Sequence, residues 1–190
     1  MKKRLGPSPT IFPMPAVLVG TYNDDGTANA MTAAWAAACC HSPPCLGVAV
    51  RNTRLTFANI QRQKAFTINV PKTTLAVEVD YLGIVSGARR PDKLEHIDMG
   101  TTSGALVDAP LIDVCPVNVE CRLFKSLELG THTWFVGEVM EIHANGELVR
   151  EDGKIDVPSL DPLAYSTSVG EYWSMGESIG GAYDIGKALK

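Results

Sequence analysis

The stretch NAMTAAWAAACCHSPPC, from Asn29 to Cys45, holds alanines around one tryptophan in its first part and three cysteines with a histidine in its second. The segment leading into it, AVLVGTYNDDGTANAMTAAW, carries two short apolar runs about Asp25-Gly26. A glycine there supplies the positive φ that a tight hairpin needs, so both runs are predicted as strands and the alanine-rich stretch is the second of them. A membrane helix is excluded, because the apolar run Ala30–Cys40 is far below the ~20 residues a span requires.

The cysteines suggest a metal first. Cys39, Cys40, His41 and Cys45 are close in sequence, but adjacent residues of a strand point to opposite faces, so Cys39 and Cys40 do not readily converge on one ion. Their spacing matches no zinc ribbon or finger, and no second ligand pair follows. Small buried side chains filling the core are the better reading, and no metal is expected. A Cys/His nucleophile would draw on His41, His96, His132 or His143, yet no nucleophile-elbow pattern supports it.

Working outward, CLGVAV (Cys45–Val50) follows Pro43-Pro44 as a continuous apolar run, the pattern of a strand buried on both faces. NTRLTFANIQRQ then reads as a helix with Asn52 or Thr53 as N-cap and Leu55, Phe57 and Ile60 on its apolar face. AFTINV is a strand stopped by Pro71, and TTLAVEVDYLGIVSG is a helix opened by Thr73 or Thr74 and closed near Gly83 or Gly87. CPVNVECRLFKSLEL and HTWFVGEVMEIHA form a long hairpin joined at Gly130, with a further turn at Asn145-Gly146. The fold expected is mainly β with inserted helices, an antiparallel barrel rather than an open parallel sheet.

With 190 residues, no repeat and no linker, the chain is expected to be one domain over residues 1–190. Its 17 Lys and Arg against 21 Asp and Glu give a formal charge of −4, which argues against a nucleic-acid partner. The basic start MKKR imitates a signal peptide, but four prolines among the next residues interrupt any apolar core, so a cytoplasmic protein is expected. Five cysteines, an odd number, fit reduced thiols there.

Two segments together point to a ligand. Small side chains at Ala30, Ala33, Ala34 and Ala36 let a flat ring approach a strand backbone whose N–H and C=O groups can bond to a heterocycle's edge. Downstream, Asn52, Thr53 and the free N–H groups of a helix start offer an anion site, with Thr56 adding a hydroxyl and Arg51 and Arg54 positive charge.

The pattern N-x-M-T-x-x-W, a buried strand, R-N-T-R-x-T opening a helix and then FTINVP resembles the flavin reductase-like proteins of the FMN-binding split-barrel superfamily. DYLGIVSGARRPDKLEH, GTHTWFVGEVMEIH and the C-terminal PLAYSTSVGEYWSMGESIG are similar to further segments of that family, the last to its flavoredoxin-like branch. The order and spacing of the pieces carry the likeness, since each alone is weak.

The resemblance implies a split β-barrel that forms a homodimer and holds FMN in a groove near the subunit interface. It places Asn29, Met31, Thr32, Ala33, Ala34 and Trp35 along the ring, Arg51, Asn52, Thr53 and Thr56 at the ribityl-phosphate end, Lys93 near the phosphate, and Ser86 with Gly87 in the loop that reaches it. His132 stands where the family has a histidine beside the flavin or nicotinamide, making it the candidate catalytic residue, although Thr131 replaces the usual acidic neighbour. Tyr172 or Trp173 would cover the flavin or the partner subunit. The implied activity is that of an FMN-dependent oxidoreductase transferring hydride or electrons, with NAD(P)H as candidate donor; the alternative is a non-catalytic electron carrier between redox proteins. No G-x-G-x-x-G fingerprint is present, so nicotinamide binding would be shallow.

Overall fold

The computed structural model describes residues 1–189. The chain opens with β1 (Met14–Pro15), β2 (Val17–Tyr22), β3 (Ala28–Ala33), β4 (Ala36–His41) and β5 (Pro44–Arg51), followed by α1 (Leu55–Gln63) and β6 (Ala65–Val70). Next come α2 (Ala76–Ile84), α3 (Lys93–His96), β7 (Thr101–Ser103), β8 (Pro110–Ile112) and the long hairpin β9 (Val117–Glu128) and β10 (His132–Ala144). The chain closes through α4 (Val157–Leu160), β11 (Ala164–Ser166) and β12 (Glu171–Trp173).

Seven strands form one antiparallel sheet in the order β3-β2-β6-β9-β10-β5-β4. Its two edge strands, β3 and β4, are consecutive in the chain and joined only by Ala34 and Trp35. Laid flat, strands at opposite edges of seven would stand ~29 Å apart, whereas the short link reaches ~11 Å at most. The sheet therefore curls until its edges meet without pairing, which is a split barrel. The expected barrel is present, but β3 and β4 each keep one unpaired edge.

Alternation along the strands sorts the core into two layers. Val17 and Val19 of β2 and Met31 and Ala33 of β3 point into the barrel, where they meet Phe66, Ile68, Val119, Phe135 and Ile60 of α1. Leu18 and Ala30 point outward and are covered by Val79 and Leu82 of α2 and Leu94 of α3. The predicted hairpins and helices are all found, with Gly26 at φ 82° in the first turn and Gly130 at φ 82° in the long one. The second helix starts with a 3-10 turn, Thr73–Leu75.

Three expectations fail. The N-cap of α1 is Arg54, with no side-chain cap bond. Asn52 is instead drawn to the β9-β10 turn, donating from Nδ2 to Gly130 O at 3.0 Å and accepting the Thr133 hydroxyl at 2.9 Å. β5 is not buried throughout on either face: Val48 and Val50 are fully buried on its inward side and Cys45 and Gly47 on the other, but Leu46 on the inward side and Ala49 on the outer one are only half-buried. Cys39 and Cys40 do not fill the core, because β4 lies at the sheet edge with its outer residues exposed; only Cys45 of that trio is buried.

Candidate functional site

The unpaired edge of β3 and the link Ala34-Trp35 form one wall of a groove of ≈260 Å³. Ala49 of β5, Arg51, Arg54 and His132 complete it. The side chains of Met31 and Ala33 are committed to the barrel interior, and Thr32 turns outward to donate its hydroxyl to Val79 O of α2. What β3 presents to the groove is thus backbone, in keeping with a run of small residues beside an open strand edge.

At Met31 and Arg54 the groove continues into a narrow crevice of ≈10 Å³ lined by Asn29, Thr56, Ser86, Gly87 and Lys93. Lys93 is only 2% exposed. Its Nζ donates to Val85 O at 3.3 Å, and among the described residues no carboxylate lies within ion-pair reach of it or of Arg54. Burial, with the Arg54 guanidinium adding to it, lowers its pKa from 10.5 to about 8. A buried cation facing a second cation is a costly arrangement that an anion would relieve.

Asn29 lies beside it, 2% exposed. Its Nδ2 donates to Thr56 Oγ1 at 3.1 Å, while its Oδ1 is buried with no partner. Gly87 packs directly on that oxygen, where any Cβ would collide with it. Thr56 is buried under Asn29, so the pair braces the crevice wall.

His132 opens β10 directly across from Arg51 of β5. Its ring lies 4.9 Å from that of Trp35, centroid to centroid, and Nδ1 is 2.8 Å from the Thr131 hydroxyl. Burial and then the Arg51 charge lower its pKa below 6.5, favouring the neutral ring at neutral pH. Thr131 thus supplies a hydrogen bond where an acid would have raised the charge.

A second, wider and mostly apolar groove of ≈770 Å³ shares Ala34, Trp35, Ala49 and His132 with the first. The N-terminal segment from Ser8 to Pro15, Leu129 and Trp134 form its other side. Sequence reasoning missed this segment, and it left Ala49 and Trp134 outside the chosen site, whereas Arg54, read as positive charge beside the helix start, does line the groove. Trp134 was recoverable: Phe135 is fully buried in the barrel, so strand alternation puts Trp134 on the opposite face, across from Ala49.

The structure brings Asn29, Met31, Thr32, Ala33, Ala34, Trp35, Arg51, Thr56, Ser86, Lys93 and His132 around the groove and its crevice. It does not bring the others. Asn52 is used by the hairpin turn and Thr53 is exposed beside it. Tyr172 stacks on Tyr165 at 5.4 Å and donates to Asp80 of α2, and Trp173 is 55% exposed; neither lines the groove.

An open-edged split barrel with a strand edge and a crevice that holds a buried lysine defines a class, and a profile of the flavin reductase like domain matches residues 10–173. The chain belongs to the flavin reductase-like family. Flavoredoxin of Desulfovibrio vulgaris (Miyazaki F) superposes with a TM-score of 0.93 at 36% identity, over 98% of this chain and 100% of that one. Flavoredoxin from Methanosarcina acetivorans gives 0.89 at 32% identity, over the whole of both chains. An uncharacterized protein of Archaeoglobus fulgidus is 36% identical over 129 residues, 68% of this chain and 71% of the other.

Proposed function

We propose that this chain is an FMN-binding oxidoreductase, acting as one domain over residues 1–190. The observation that carries the reading is Lys93, a buried cation with Arg54 beside it and, among the described residues, no carboxylate within ion-pair reach to balance either. A phosphate supplies that balance. Lys93, Arg54 and the Ser86-Gly87 loop would hold it, the open β3 edge would bond to the ring's heteroatoms, and Trp35, Ala34, Ala49 and His132 would flank the ring. Asn29 Oδ1, buried without a partner, is an acceptor for a hydroxyl of the ribityl chain.

When bound, FMN supplies the hydride and electron chemistry, leaving the protein to bind, orient and tune. Backbone N–H groups on the β3 edge and the Arg51 charge favour electron density on the ring. His132, neutral and held by Thr131, shapes the approach of a donor without adding charge. NAD(P)H is the proposed donor. Among the described residues that line the wide groove His132 is the only titratable side chain, so a dinucleotide would find its nicotinamide end accommodated and its pyrophosphate unheld.

That same lack of a pyrophosphate site, with the similarity to two flavoredoxins, favours a second reading as an electron carrier between redox proteins. Rapid bleaching of the bound flavin by NADH or NADPH in an anaerobic titration supports the enzyme. Bleaching only by a reduced protein partner supports the carrier. Both require that the purified protein be yellow and release FMN on heating; a colourless protein that binds no added FMN contradicts both.

The chain is proposed to act as a homodimer with FMN near the interface. Ile11 and Leu129 on the wide groove, with Phe12 and Leu127 next to them in sequence, are large exposed apolar side chains that a second copy would cover. Trp173 and Tyr183 are exposed aromatic residues of the C-terminal segment available to reach that copy. No described helix is long and apolar enough to cross a membrane. Five free cysteines accord with a cytoplasmic setting, which is proposed on that ground.

A further inference from the structure

Beyond the groove, β4 ends in a cluster of thiols. Cys40 of β4 and Cys45 of β5 are direct cross-strand partners. Residues so opposed have Cα atoms ~4.5 or ~5.5 Å apart, according to whether the pair is hydrogen-bonded, and both values fall within the ~4.4–6.8 Å a disulfide bridges. Opposed side chains also leave the same face of the sheet. Cys39 sits in the register shift between Ala38 and Cys40, and its Sγ donates to Cys45 O at 3.5 Å.

The two partners differ in access. Cys40 is exposed on a strand whose outer edge is unpaired, and Cys45 is 3% exposed. Burial raises the Cys45 pKa, with smaller contributions from Cys40, Cys39 and Glu138. Among the described residues no group of His, Cys, Asp or Glu is placed to hold a metal ion.

We propose that Cys40 and Cys45 form a reversible cross-strand disulfide by exchange with a low-molecular-weight disulfide. The exposed Cys40, as thiolate, attacks one sulfur of the small disulfide; its S–S bond breaks, and the first small thiol leaves and takes up a proton. Cys45 then loses its proton and attacks Cys40 sulfur, forming the internal bond and releasing the second small thiol. Two protein thiols are oxidised and one small disulfide is reduced to two thiols. The raised Cys45 pKa makes the second step the slow one at neutral pH and speeds it in mild alkali.

The test exposes the holoprotein to oxidised glutathione, alkylates the remaining thiols and maps the peptides by mass spectrometry. The expected result is loss of two alkylatable thiols per chain, a peptide linking Cys40 to Cys45, and recovery of both thiols with dithiothreitol. Cys39→Ser should keep the link. Cys45→Ser should stop at one glutathione on Cys40, and Cys40→Ser, at an exposed position that the fold tolerates, should show no link to Cys45 while keeping its FMN content. Five alkylated cysteines after oxidation, a link through Cys39, or a link between chains would overturn the proposal.

Discussion

Lys93 and Glu120 are both buried charged side chains, and their surroundings are opposite. Glu120 is fully buried, accepting N–H groups from Ala105, Leu106 and Val107 at 2.9, 2.7 and 2.8 Å and His143 Nε2 at 2.6 Å. Lys93 has one carbonyl at 3.3 Å and a like charge for a neighbour. Burial pushes the Glu120 carboxyl up, but its four hydrogen bonds outweigh that and hold it below the ordinary 4.5. Lys93 has no such compensation. A buried charge whose bonds are complete ties the 105–107 loop to the barrel; one whose bonds are incomplete is poised for a ligand.

The comparison breaks most sharply at Glu120. Glu120→Leu strands three N–H groups and His143, and should lower unfolding free energy by about 3–5 kcal/mol, read by urea melts, while FMN affinity of the folded protein stays unchanged. Since the folded pKa of Glu120 is depressed, its contribution is present above the ordinary carboxyl value and is lost as pH falls through the folded one.

For Lys93 stability also rises with pH, but because folding disfavours its charged form rather than favouring it. Its folded pKa of about 8 lies below 10.5, so the unfolded chain binds the extra proton between those values, and apo-protein stability should rise across that window by up to about 3 kcal/mol. Lys93→Met should remove this rise and leave the melting temperature at neutral pH equal or higher. A Lys93→Met protein that melts well below the parent would place Lys93 with Glu120 as a structural charge.

Smaller effects sharpen the boundary between the two. Gly87→Ala drives a Cβ into Asn29 Oδ1 and should cost about 1–3 kcal/mol of stability and weaken FMN binding together, as seen in paired melts and titrations. His132→Gln, which removes one ring from the flank of the groove, should weaken FMN binding less than Lys93→Met does. Because the His132 pKa is lowered, the parent loses a little stability as pH falls below 6.5, and the variant should lose less when the two are melted at neutral and at mildly acid pH.

Much of the fold was legible because hairpin turns and strand alternation are local. The Asp25-Gly26 and Gly130 turns, the strand after α1 and the two longer helices all fall where period and turn chemistry put them. The split was not, since it depends on β3 and β4 occupying opposite ends of a curled sheet, which no window of sequence records. The groove wall at Ala33, Ala34 and Trp35 was legible from the small residues beside Trp35. Asn52 misled because a helix start attracts a polar cap, and a turn 78 residues away competes for the same side chain. The cysteines misled for a related reason: their burial depends on whether β4 is central or at an edge.

The central claim is that Lys93 waits for a phosphate, and affinity for FMN against riboflavin, which lacks that phosphate, tests it most directly. In fluorescence titrations the parent protein should prefer FMN by roughly 10–100-fold, the worth of a charged hydrogen bond of about 1.5–3 kcal/mol. Lys93→Met should lose most of that preference with riboflavin affinity unchanged. Equal affinity for the two flavins in the parent, or a preference that survives Lys93→Met, would contradict it.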